Sequence, residues 1–173
     1  LLKMLTTQLT GLFKRIEEKE AFSFEDGARL LAQAPVGDGV IYLYGPNEMK
    51  AIVNEAIEGA EPFKFAKPFA NIEEVTDADR VVIFTRYASD SDAVELAIQL
   101  QEKEIPFVGV STALNGEGKL AELADVHIDL ALKKGLLPDE FGNRFCIPSS
   151  MAGLFVYYGL KFTIEEILEE YDL

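Results

Sequence analysis

Three stretches of the chain put small or hydroxyl-bearing residues where an apolar run gives way to a helical one: Gly45 and Asn47 after Val40–Tyr44, Thr85, Ser89 and Ser91 after Val81–Phe84, and Ser111 and Thr112 after Phe107–Val110. A hydroxyl beside the start of a helix can hold an anion, because the helix end carries partial positive charge and unpaired N–H donors. Phosphate is the guest that suits this pattern. Taken singly, Ser89, Ser91 and Ser111 also fit helix caps and turn formers. Asp90 and Asp92 flank the second stretch, so at least one of them must turn away if a dianion is to bind. The acid/base inventory is thin, with His127 the one histidine and Cys146 the one cysteine. That excludes an internal disulfide, a cysteine-cluster metal site and a multi-imidazole zinc site. No metal and no cofactor is expected.

The elements that must position these residues follow from periodicity. Leu1, Met4, Leu5, Leu9, Leu12, Phe13 and Ile16 share one helical face, and a second helix, capped at Ser23 and carrying Leu30 and Leu31, is expected to stop at Pro35 and Gly37. Val40–Tyr44 then reads as a strand, Gly45–Pro46 as a tight turn, and Asn47 to Glu58 as a helix. The same order recurs from Arg80 to Thr85 with a helix through Leu100, again from Pro106 to Val110, and more weakly from Val126 to Leu130. Strands that are apolar on both faces and alternate with helices imply a parallel sheet covered on both sides, which makes the fold class α/β, a three-layer sandwich with a doubly wound sheet. Residues 133–143 read as a loop. Met151 to Phe162 is a very apolar helix, and Thr163 with Glu166 reads as the capping box of a separate last helix ending near Tyr171. In open parallel sheets ligands lie beyond the carboxyl ends of the strands, where strand order reverses. The three hydroxyl-bearing stretches all arrive there.

The order and spacing of these segments resemble the sugar isomerase (SIS) family over most of the chain. Two leading helices run into a strand and Gly-containing turn, matched by Val40 to Met49; a second strand enters a hydroxyl-rich loop and helix, matched by VVIFTRYASDSDAVELAIQL; PFVGVST and then Ala124-Asp125-Val126 follow. The resemblance implies a flavodoxin-like, SIS-type sheet in one domain over 1–173, with leading helices in 1–36, a βαβ core in 37–132 and a loop with C-terminal helices in 133–173. It also implies a phosphorylated sugar or sugar derivative as ligand, held by Gly45, Asn47, Thr85, Ser89, Ser91, Ser111 and Thr112. The alternative is aldose–ketose isomerisation of a sugar phosphate, as in the phosphoheptose isomerase branch. That branch uses a Glu on the helix after the first strand, and Glu58 falls at about the corresponding place; Glu58 also fits a solvated residue in a last helical turn. The branch's C-terminal-helix His is replaced here by Ser149, Ser150, Tyr157 and Tyr158.

Composition narrows the partners. Formal charge is −14, and the 16 Lys and Arg are dispersed, so nucleic acid is not an expected partner. No Gly-x-Gly-x-x-Gly or Walker sequence occurs, which disfavours a nucleotide-binding domain. Leu1 to Leu12 interleaves polar residues and no stretch reaches a membrane-spanning length, so a cytoplasmic protein with no membrane partner is expected. The apolar faces of Leu1 to Ile16 and of Met151 to Phe162 exceed what one small sheet can cover, and a homodimer is expected from them.

Overall fold

The computed structural model describes residues 1–173. Its elements run α1 (Leu2–Lys19), α2 (Ala21–Val36), β1 (Ile41–Tyr44), α3 (Lys50–Glu58), β2 (Ala66–Pro68), β3 (Arg80–Tyr87), α4 (Ser91–Glu102), β4 (Phe107–Thr112), α5 (Lys119–Leu123), β5 (Val126–Asp129), the short pair β6 (Leu137–Pro138) and β7 (Arg144–Phe145), and α6 (Ser149–Glu169). Five strands form one sheet in the order β2-β1-β3-β4-β5, all of them parallel. Strand order reverses between β1 and β3, the switch point of flavodoxin-like sheets.

Alternation along the strands explains the layers. Val82 and Phe84 of β3, with Val108 and Val110 of β4, face a larger core that includes Leu12, Leu31, Ile52, Val156 and Leu160 of the helices. Val81, Ile83 and Phe107 face a smaller one with Leu96, Leu100 and Leu120. Successive strand side chains point to opposite faces, so a strand buried on both sides must be apolar throughout. The three-layer α/β sandwich expected from the sequence is the architecture observed.

Several boundaries differ from the sequence reading. The second helix begins at Ala21, so Ser23 lies inside its first turn and caps nothing, and Pro35 sits within the helix instead of ending it. Proline removes only one donor there, and the helix ends a residue later regardless. The two C-terminal helices are one, because Val156, Leu160, Ile164 and Leu168 continue a single buried stripe, and the Thr163 hydroxyl donates back to the Gly159 carbonyl at 2.9 Å instead of capping a new start. β3 and β4 run further than expected, to Tyr87 and Thr112. Their pairing shifts between Phe84 and Tyr87, so Thr85 and Arg86 sit on a bulge, a feature that re-aims side chains. The outer strands are guarded differently. β2 is three residues long and ends in Pro68, while the Asp129 N–H of β5 donates to the Glu20 carboxylate, at the α1–α2 junction, across 3.1 Å. Burial raises the Glu20 pKa, opposed by that bond to Asp129.

Candidate functional site

Past Tyr44, paired with Ile83 in the last rung of β1, the chain leaves the sheet while β3 continues for four residues. A cleft of about 210 Å³ opens between them, lined on one side by Pro46, Asn47 and Glu48 and on the other by Thr85, Arg86 and the start of α4. Gly45 makes the turn possible, since a Cβ there would lie 2.5 Å from the Met49 carbonyl oxygen. Asn47 follows in the left-handed region at φ 54°, one of the few residue types that tolerates it.

The opposite wall is organised by Asp90. Its Oδ2 accepts the Thr85 hydroxyl at 2.6 Å and the Tyr87 N–H at 3.0 Å, so the carboxylate turns back toward the bulge and makes no cap bond to its own helix. The N–H groups in the first turn of α4 are thereby left without a side-chain acceptor, the arrangement in which a helix start attracts an anion. Arg86 is the only cation lining the cleft. Its Nε donates to Glu48 Oε2 at 2.9 Å and its Nη2 bonds the same oxygen. The hydrogen bond and charge of Glu48 hold the guanidinium above its already high pKa. Three carboxylates, Glu48, Asp90 and Asp92, share the cleft with this one guanidinium, and the field reaches Tyr44, whose pKa is raised first by burial and then by Asp92, Asp90 and Glu95.

The structure brings together part of the residue set expected from the sequence. Asn47, Thr85 and Ser91 line the cleft and Gly45 forms its turn. Ser89 is exposed and lines a separate shallow depression with Thr112, Leu114 and Asn115. Thr112 is buried and its Oγ1 accepts the Leu132 N–H at 3.1 Å. Ser111 is fully buried and shares a 2.7 Å hydrogen bond with His127 Nε2. Glu58 is exposed in the last turn of α3 and does not line the cleft. Arg86, and the inward turn of Asp90, were not legible as site features; the bulge that aims Arg86 has no signature in VVIFTRY.

Burial lowers the His127 pKa from its ordinary value of 6.5, with the Asp129 charge acting in the opposite direction. The unfolded chain therefore binds a proton that the folded chain refuses. Stability from this group is complete above the unfolded value and is expected to fall as pH drops from there through the folded value. Denaturant midpoints measured between about pH 5 and 7 should show that slope, and His127→Gln should flatten it.

The family model described as a domain of unknown function, DUF2529, matches residues 1–168. An uncharacterized protein of Bacillus subtilis (strain 168), YwjG, is 49% identical over 172 residues, covering 99% of both chains. Among solved structures, a phosphoheptose isomerase from Francisella tularensis is similar at TM-score 0.65 and 8% identity, over 95% of this chain and 98% of that one. The Vibrio vulnificus NanR protein complexed with ManNAc-6P is similar at TM-score 0.69 and 14% identity, over 96% of this chain and 62% of that one. The Escherichia coli CFT073 protein c3406 in complex with a phosphosugar is similar at TM-score 0.61 and 14% identity, over 94% and 93%. Likeness at these identities shows a shared fold, the SIS-type sheet that the order of segments implies.

Proposed function

We propose that this chain, which belongs to the DUF2529 family, binds a phosphorylated sugar or sugar derivative in the cleft between β1 and β3. The observation that carries the reading is the meeting of Arg86 with the uncapped first turn of α4 at the switch point of the sheet, a place where fixed N–H dipoles and a guanidinium both favour an anion. Glu48, Asp90, Asp92 and Asn47 around it suit the other half of such a ligand, since carboxylates and amides accept hydrogen bonds from sugar hydroxyls. Support from fold comes from NanR and c3406, both of which hold phosphosugars in their structures. The cleft is smaller than the roughly 300–1,000 Å³ of a full ligand pocket, so it takes the phosphoryl end and leaves the sugar at the rim.

Thermal shift with phosphorylated six- and seven-carbon sugars tests this. A ligand that binds the native state only adds about 2.7 kcal/mol of stability at a hundred times its Kd, and unphosphorylated sugars should add far less. Ser91→Ala is expected to weaken binding by about 1 kcal/mol, a lost hydrogen bond, while Ser89→Ala leaves it unchanged. Equal effects of the two substitutions would move the site away from the cleft.

The homodimer expected from the apolar helical faces belongs to the same reading. Leu2, Met4, Met151 and Phe162 stay exposed on α1 and α6, and exposed apolar surface of this kind is what self-association covers. Light scattering at micromolar concentration should give the mass of two chains.

No helix is long and apolar enough to cross a membrane.

A further inference from the structure

The contact between Arg86 and Glu48 joins the two walls of the cleft. Arg86 projects from the bulge of β3 and Glu48 from the single helical turn Asn47–Met49 that follows β1, so the pair spans the point where the strands part. Its geometry is lopsided. A guanidinium in its strongest arrangement sends two parallel N–H groups to two oxygens, but here Nε and Nη2 both go to Oε2 and Glu48 Oε1 takes no hydrogen bond. Side-chain exposure is 45% for Arg86 and 28% for Glu48, and ion pairs open to water contribute little to stability. The backbone beneath them is fixed. Gly45 is pressed against the Met49 carbonyl, and Tyr87, next to Arg86, is tied to Asp90. Only the two side chains have freedom to rearrange.

Building on the proposed phosphate-ester site, we propose that Glu48 is an intramolecular competitor for Arg86: a phosphoryl group that enters the cleft displaces the Glu48 carboxylate and takes Arg86 through two of its own oxygens. A phosphate monoester has the means to do so. It carries up to two charges and three terminal oxygens, so it can accept Nε–H and Nη2–H on separate atoms while another oxygen meets the N–H groups of α4. Glu48 accordingly acts as a threshold on affinity. A weakly held anion fails to release Arg86, and Asp90 and Asp92 oppose it as well. The ligand must therefore gain from its sugar hydroxyls as well as from its charge, and inorganic phosphate alone is a poor ligand.

Calorimetric titration of the parent protein, Glu48→Gln, Arg86→Gln and the double variant with fructose 6-phosphate tests this, with inorganic phosphate and unphosphorylated fructose as comparison probes. Glu48→Gln is expected to tighten fructose 6-phosphate roughly two- to fivefold, the scale of an exposed ion pair, to make inorganic phosphate binding detectable, and to leave fructose unchanged. Arg86→Gln is expected to weaken the ester roughly tenfold to a hundredfold, as loss of charge-assisted bonds does, and Arg86→Lys to recover part of that. The double variant should bind no more tightly than Arg86→Gln alone. A gain that persists without Arg86 overturns the inference, since it then reflects only a lost negative charge. Unchanged or weaker binding by Glu48→Gln, when the parent binds, overturns the competitor role and leaves the phosphate site standing. Absence of ester binding by both parent and Glu48→Gln overturns both. Thermal midpoints within roughly 3 °C of the parent establish that the variants fold, as expected for exposed side chains.

Discussion

Sedoheptulose 7-phosphate supplied to this protein in a coupled assay is expected to be isomerised not at all, or at least ~10² to 10⁴-fold more slowly than by a site with a positioned base and acid, since each such group is worth about that factor. Moving a proton between neighbouring carbons needs both groups within hydrogen-bond reach of the substrate. Glu58 lies at the end of the nine-residue α3, about 12 Å of helical rise from the end that borders the cleft, and it is exposed. His127 sits on β5, hydrogen-bonded to Ser111 and held neutral by burial, which lowers its pKa. The tyrosines of α6 are no better placed as acids. Tyr157 is buried, and burial first, then Tyr158 and Glu55, pushes its pKa far above the ordinary phenol value. Tyr158 donates its hydroxyl to Glu55 at 2.6 Å. Turnover in the usual range of ~1 to 10³ per second that Glu58→Gln abolishes would restore the isomerase reading.

Replacing Gly45 with alanine should cost both fold and binding. The added Cβ meets the Met49 carbonyl oxygen at 2.5 Å and the Val53 Cγ2 at 3.1 Å. The first of these is main chain at the junction of a helical turn and α3, which cannot swing aside as the end of a long side chain can. Overpacking of this kind typically costs about 1–3 kcal/mol and sometimes more. Because the displaced segment carries Asn47 and Glu48, sugar-phosphate binding should fall much more than it does for Ser91→Ala. Denaturant midpoint and ligand titration on the same sample check the two effects, and a Gly45→Ala protein as stable as the parent would show that the turn can open without strain.

The sheet was legible in the sequence because a strand covered on both faces has to be apolar at every position. Val81–Phe84 and Phe107–Val110 announce themselves in that way. β2 did not, since Ala66-Lys67-Pro68 has neither length nor apolar pattern and exists only because Ile41, Tyr42 and Leu43 offer it a neighbour. Helix breaks read from local residues fail for a related reason. Thr163 and Pro35 are signals of interruption, but the buried stripe through Val156, Leu160, Ile164 and Leu168 and the packing of α2 on α6 outweigh them. In the candidate site, the sequence located the loops and not the directions of their side chains. Thr85, Ser111 and Thr112 are hydroxyls in nearly identical settings along the chain, yet Thr85 bonds Asp90, Ser111 bonds His127 and Thr112 receives Leu132. What separates them is the shift in pairing between β3 and β4 and the strand face each residue occupies.

The guarding of the two outer strands bears on what happens to this protein at high concentration. A sheet border with unpaired N–H and C=O groups is a template for another chain, and runaway addition there is how cross-β deposits grow. β2 offers three residues and a proline that cannot donate. At the other border a growing strand would have to evict the Glu20 carboxylate from the Asp129 N–H, leaving a half-buried acid without its partner. Crowding should therefore drive these molecules together through their helical surfaces, in finite assemblies that dissolve again on dilution, and not along the sheet into fibres.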